Sequence, residues 1–366
     1  MNFLLRLTSL RWGFAPSSGR WLSPLVPLLA LALVAAACGG GGDAGADEGN
    51  GAGDRGSGPT EPAGGGDGGP QLNPDAESVQ IQFTSRDFAV GPASNVGFAL
   101  LAEDGQLLVA DSLTVTFFDL RGDDPVAAIQ VAAQPSAPGV GAETEHVHTD
   151  GSEHVHGGES DRRVTYYARA DFEYAGSWGL LVQGTLEDGT EVQGNVLFQV
   201  FEEPLILAPG DEAPRTENLT RFDVEDIRTI DSGTVPNDMH DLTIKDALDA
   251  GRPLVVVFST PAFCQTQFCG PVTQEVESLH DDYGDRVDFV HIEVWTNFAA
   301  SELNAAVDEW LLQEHGGFTE PWVFVVDREG VIYDRWENAV ARSVLEPAVQ
   351  AVAGGATYAE LIAAGP

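Results

Sequence analysis

The stretch Leu254-Val-Val-Val-Phe-Ser-Thr-Pro-Ala-Phe-Cys264-Gln-Thr-Gln-Phe-Cys269-Gly-Pro-Val272 runs from an apolar, β-branched segment into two cysteines and then into residues of helical character. The run ending at Thr260-Pro261 predicts the end of a central strand, and the residues after Pro271 predict a helix. A cysteine at such a junction lies near a helix N-terminus, whose partial positive charge lowers a thiol pKa and favours the nucleophilic thiolate. The competing reading of the same pair is a structural disulfide or two inert core cysteines.

Outward from this segment, a helix is expected over Leu242 to Ala250, between Asp241 and the breaker Gly251-Arg-Pro253. Beyond the cysteines come a helix from Pro271 to Tyr283, a strand from Val287 to Val294 and a helix from Ser301 to His315. A hairpin then pairs Trp322–Val326 with Val331–Trp336 around Asp327-Arg-Glu-Gly330, before a helix from Ser343 to Val352. After the leading helix the order is βαβαββα. It requires a mixed sheet with helices on both faces, because parallel strands need crossovers.

This order resembles the thioredoxin superfamily over roughly Leu242 to Val352. The matching residues are Val255-Val-Val-Phe258, the Cys-Gly-Pro motif Phe268-Cys-Gly-Pro271, Pro321 before the hairpin, and Phe324-Val-Val-Asp-Arg-Glu-Gly-Val-Ile332. The resemblance implies a cis-proline at Pro321 beside the thiols, shaping the groove for a substrate chain, with Phe263, Phe268 and Trp322 lining it. It implies thiol-disulfide exchange with no cofactor required, Cys269 attacking and Cys264 resolving, the roles exchanged if the loop exposes Cys264. The spacing departs from the family, because Val272 stands where the second cysteine would be. Cysteines five positions apart on a continuous helix would face different ways, so a bridge demands a loop or broken turn at Gln265 to Phe268.

Three other readings attach to the pair. Four intervening residues also occur in one-chain peroxiredoxins, but Pro261 replaces that family's threonine and Glu320-Pro321 stands where its arginine would be, removing the activating charge. A Sco-like copper protein would add His291 or His315 to the cysteines. His291, alternating with Val290 and Ile292, reads as a half-buried strand residue, and Met239 is the only methionine outside the leader. The last reading is a non-enzymatic surface adaptor stapled by Cys264–Cys269.

The N-terminus sets the compartment. Arg6, Arg11 and Arg20 precede an apolar run, Leu22 to Ala37, that ends in Ala35-Ala-Ala-Cys38. This resembles a bacterial lipoprotein signal peptide over 1–37 with Cys38 as the lipidated residue. It implies a lipid anchor in the cell membrane, an extracytoplasmic position, and exported protein thiols or disulfides plus a redox donor as partners. Residues 38–75, rich in Gly and Asp, read as a tether that cannot bury enough apolar surface to order itself. The chain carries 57 acidic against 18 basic residues, a net charge of −39. Such a surface excludes nucleic acid as a partner.

Between tether and cysteine half, residues 76–203 show short alternating apolar runs separated by turn signals such as Asp104-Gly105 and Asp188-Gly189. That is the pattern of an antiparallel β-sandwich. Tyr166 to Val182 resembles immunoglobulin-like bacterial surface modules, including those grouped with FixH and YtkA proteins. A His-rich loop at 142–160 interrupts it, with Glu145-His-Val-His followed by Glu153-His-Val-His. His146, His148, His154 and His156 are candidate ligands for Cu or Zn, since residues two apart in an extended chain share a face. An unliganded low-complexity insertion is the alternative. Residues 204–235 read as a connector and 236–366 as the thioredoxin-like domain. The expected fold class is thus α/β thioredoxin-like preceded by an all-β, immunoglobulin-like sandwich.

Overall fold

The computed structural model describes residues 69–139, 144–147, 153–156, 163–264, 267–297, 300–312 and 319–364. All belong to one compact unit, Gly64–Pro366. The expected signal peptide, Cys38, most of the tether, His148 and His315 lie outside the described residues. Among the described residues no helix is long and apolar enough to cross a membrane.

The N-terminal half is all strand. Two five-stranded sheets are built from β1 (Glu77–Ser78), β2 (Gln80–Phe83), β3 (Gly91–Leu101), β4 (Leu107–Leu108), β5 (Ala110–Asp119), β6 (Val126–Ala132) and β7 (Gln134–Ser136). The hairpin strands β8 (Thr144–Val147) and β9 (Glu153–His156) stand apart, and β10 (Thr165–Phe172), β11 (Gly176–Leu186) and β12 (Glu191–Val200) complete the half. One sheet runs β1-β12-β11-β5-β6 and the other β2-β3-β10-β7, with β4 on β3. Alternating residues from both sheets, among them Val96, Phe98, Phe117, Tyr166, Phe172, Trp178 and Leu180, fill one core. β6 was not legible as a strand: of its seven residues only Ile129 and Val131 turn towards the core, too short an alternation to stand out among exposed alanines.

The C-terminal half holds a four-stranded mixed sheet. Its elements are α1 (Ile244–Asp249), β13 (Leu254–Ser259), α2 (Cys269–Tyr283), β14 (Asp288–Glu293), the short β15 (Trp295–Asn297) and β16 (Glu302–Leu303), and α3 (Ala305–Val307). β17 (Trp322–Val326), β18 (Ile332–Glu337), α4 (Arg342–Ala353) and α5 (Tyr358–Ala364) follow. The strand order is β14-β13-β17-β18, with β13 parallel to β14 and antiparallel to β17. Val255 and Val257 face α2 and α4, while Leu254, Val256 and Phe258 face α1 and Trp310. A Thr243 capping box starts α1, two residues later than the Asp241 start expected from sequence.

Two expectations fail here. The helix predicted from Ser301 to His315 is the short α3 continued by a π turn, Asp308–Leu312, because its buried residues, Ala306, Val307, Trp310 and Leu311, cluster on one short stretch. Residues 204–235 are also more than a connector. Ile206, Ala213, Ile230 and Asp231 are buried, and Ile206 and Ala213 join the core on the α1 face.

The sandwich covers the exposed edge of the mixed sheet. Asp334 on β18 accepts from Asn95 Nδ2 and Arg169, each at 2.7 Å, and Tyr167 donates to the Glu337 carbonyl at 2.7 Å. Arg335 makes a largely buried ion pair with Asp87 at 2.8 Å and donates to the Leu207 carbonyl at 2.6 Å. An Arg335→Met change keeps volume but leaves Asp87 without its cation. Breaking such a pair costs about 3–5 kcal/mol, so urea unfolding should show a loss of that order; a loss under about 1 kcal/mol would mean that solvent already screens the pair.

Candidate functional site

The cysteine loop sits where β13 ends. Because Thr260 and the whole of β13 are buried, the chain must leave the sheet at Pro261, the first residue with room to turn. Cys264 and Cys269 form a disulfide with Cα atoms 5.9 Å apart. Gln267 takes a left-handed backbone, φ 65°, between them, and α2 begins at Cys269 itself. This is the broken turn that the spacing demanded. Cys269 is fully buried and Cys264 only half-buried. Cys264 is therefore the more exposed of the two, the condition under which the sequence reading exchanged their roles.

The Glu320–Pro321 peptide is cis. A Glu320 carboxylate oxygen and both cysteine sulfurs lie within 4.8 Å of one another, and Trp295 donates to Glu320 Oε1 at 3.3 Å. Glu320 is 8% exposed. Burial pushes its pKa up, and the neighbouring Glu293 carboxyl, itself raised by burial, pushes the same way. Trp322 is no groove wall: it is 5% exposed and stacks on Phe324 within the core. Phe263 and Phe268 are half-buried at the loop.

Below the loop lies a buried polar network that sequence reasoning missed. Asp231 Oδ2 accepts from Asn237 N and Nδ2, each at 2.9 Å, and from His240 Nε2 at 3.1 Å. Asn237 Nδ2 also donates to His291 Nδ1 at 2.9 Å. Neutral His291 then carries its hydrogen on Nε2, 2.9 Å from Ser259 Oγ. Ser259 passes its own hydrogen to Thr273 Oγ1 at 2.6 Å, and Thr273 donates to the Cys269 carbonyl at 2.8 Å. The chain runs one way, from Asn237 to the first residue of α2. His291 is thus fully buried in a network and not the half-buried strand residue that alternation suggested.

Burial disfavours charge at every member of this network. For His240 that effect wins and its pKa is lowered. For His291 burial is outweighed by the Asp231 and Glu293 carboxylates, which raise it. Burial alone would also raise Asp231, but the hydrogen bond from His240, the nearby His291 imidazole and the amide hydrogen bonds from Asn237 hold it well below the usual carboxylate range. Asp231, His240 and His291 together are a buried donor set of a kind that suits a metal ion. It differs from the His-rich loop to which sequence reading assigned metal.

That loop contributes a separate two-stranded ladder. β8 and β9 pair antiparallel, with His146 opposite His154 and Thr144 opposite His156. Residues opposite in register share a face, so His146, His154 and His156 fall on one face of the ladder. The loop's root lies close to the cysteines: Gly139 N donates to Glu275 of α2 at 2.9 Å, and a Cβ on Gly139 would stand 3.1 Å from Pro271 Cβ.

No protein-family model and no curated protein matches the chain. Among solved structures, MtrC from Shewanella baltica OS185 aligns at 11% identity and TM-score 0.18, covering 34% of this chain and 22% of MtrC. The PKD domain of the human VPS10 domain-containing receptor SorCS2 aligns at 18% identity and TM-score 0.16, covering 40% of this chain and 95% of that domain. Scores this low carry no argument about fold or activity.

Glu320 offers a pH test. Its folded pKa lies above the ordinary 4.5, so the stability it contributes is full below that value and is lost as pH rises through the raised pKa. Glu320→Gln stays neutral throughout. The urea midpoint of the variant should gain on the native chain from about pH 4.5 upward; a constant gap between the two would show that Glu320 titrates as an exposed acid does.

Proposed function

We propose that the chain is an extracytoplasmic, lipid-anchored thiol-disulfide oxidoreductase with a thioredoxin-like C-terminal half and an immunoglobulin-like module before it. The observation that carries this is the Cys264–Cys269 bridge at the start of α2, with Cys264 half-buried and Cys269 fully buried. A client thiolate attacks Cys264 Sγ, the Cys264–Cys269 bond breaks, and Cys269 leaves as a thiolate. The helix N-terminus stabilises that leaving thiolate, and Glu320, the carboxyl beside both sulfurs, supplies a proton to it. A second client thiolate then attacks the client sulfur of the mixed disulfide, forming the client disulfide and releasing Cys264 reduced. An exported redox partner takes the two electrons and restores the bridge. Run backwards, the same steps reduce a client.

Pro321 follows Glu320 directly through the cis peptide and holds that carboxyl beside the bridge. Cys38 carries the lipid, the acidic surface keeps nucleic acid away, and the His-rich loop is a site for Cu or Zn. The copper-handling alternative loses support at the sulfurs, because the third donor beside them is a carboxylate and not the soft or imidazole ligand that Cu(I) prefers.

Cys269→Ser should leave Cys264 holding exported partners as mixed disulfides on non-reducing gels, while Cys264→Ser should trap none and both changes should abolish insulin reduction. A bridge with a reduction potential below about −300 mV, together with no trapped partner, would make it a structural staple instead.

A further inference from the structure

The exchange chemistry leaves Asp231, His240 and His291 unused, although they are 1%, 2% and 1% exposed. Asp231 comes from the segment preceding Ser232, His240 from the loop before α1 and His291 from β14. Asp231 Oδ2 stands 3.1 Å from His240 Nε2 and 3.7 Å from His291 Nδ1, and the three atoms lie within 4.8 Å of one another. Ligands placed tetrahedrally at about 2.0–2.1 Å from a zinc ion are about 3.4 Å apart. The two measured edges bracket that value.

We propose that Asp231 Oδ2, His240 Nε2 and His291 Nδ1 form a mononuclear site for Zn(II) or another borderline divalent transition ion. Two imidazoles and one carboxylate suit that class, whereas Ca(II) and Mg(II) take oxygen shells. The second shell is already in place. His291 Nε2 points at Ser259 Oγ, which turns Nδ1 towards Asp231, and Asp231 Oδ1 accepts from Gly233 N at 2.8 Å. Charge balance favours a cation as well: among the described residues neither lysine nor arginine pairs with the buried Asp231.

Asn237 Nδ2 takes up lone pairs of Asp231 Oδ2 and His291 Nδ1, at 2.9 Å each. The ion replaces those two hydrogen bonds and the one between His240 Nε2 and Asp231 Oδ2, His240 then carrying its hydrogen on Nδ1, while Asn237 Oδ1 keeps its bond from Met239 N at 3.0 Å. A buried site of this kind, with three protein ligands and one position left open, loads as the chain folds and ties the segment at 231–240 to β14. It stands independently of the exchange reading.

The test uses the full-length chain with His146, His148, His154 and His156 all changed to Ala, refolded with Zn(II) and, separately, Co(II). Native mass spectrometry should find one ion per chain. X-ray absorption should show a nitrogen/oxygen shell at about 2.0–2.1 Å with imidazole scattering and no sulfur at about 2.3 Å. Asp231→Asn on this background should weaken Zn(II) by more than the ~10–100-fold that outer-shell changes cost. If that variant does not fold, the absorption spectrum of its parent still decides. Absence of a stoichiometric ion, a sulfur shell, or unchanged affinity in a folded Asp231→Asn protein would each overturn the assignment.

Discussion

β13 is buried along its whole length and pairs on both sides, so the first freedom the chain regains is at Pro261. Everything about the site follows from how that strand ends. Ser259 and Thr260 bring hydroxyls into a buried region, where an unpaired polar group costs about 1–3 kcal/mol. Ser259 is satisfied by His291 and Thr273. Through Thr273 it holds the first turn of α2 over the sheet. The position of Cys269, at that turn and wholly buried, is a consequence of this packing.

Acidity on the surface and acidity at the site obey different rules. A net charge of −39 is spread over solvent, where it is screened. Asp231, Glu293 and Glu320 are buried, with imidazoles beside the first two and Trp295 beside the third. Hydrogen bonds keep Asp231 ionised, whereas Glu293 and Glu320 yield to burial and hold their protons more tightly. Such a division separates a fixed charge from a transferable proton within one buried cluster. In the exchange proposed above, the proton comes from Glu320, the carboxyl beside both sulfurs.

The central strand, the hairpin after Pro321 and the irregular turn between the cysteines were legible because each depends on local pattern: an unbroken apolar run, Asp327-Arg-Glu-Gly330, and a spacing that a helix cannot bridge. Asp231 and His240 were not. They lie in a stretch with neither a 2- nor a 3.6-residue period, and their meaning comes from His291, more than fifty positions away. One signal was present. Ser259 on β13 and His291 and Glu293 on β14 put polar residues on the α2 face of otherwise apolar strands, a pattern that burial makes costly unless a polar partner waits there.

The sandwich is more than a carrier for the mixed sheet. Thr165 donates to the Ala339 carbonyl at 2.9 Å, and Gly139, at φ 77°, packs on Pro271. A side chain on Gly139 is excluded both by that backbone and by the closeness of Pro271. The two ends of the segment 140–162 are therefore pinned to the half that carries the cysteines. The histidine repeat lies within this segment, so its reach is measured from the first turn of α2.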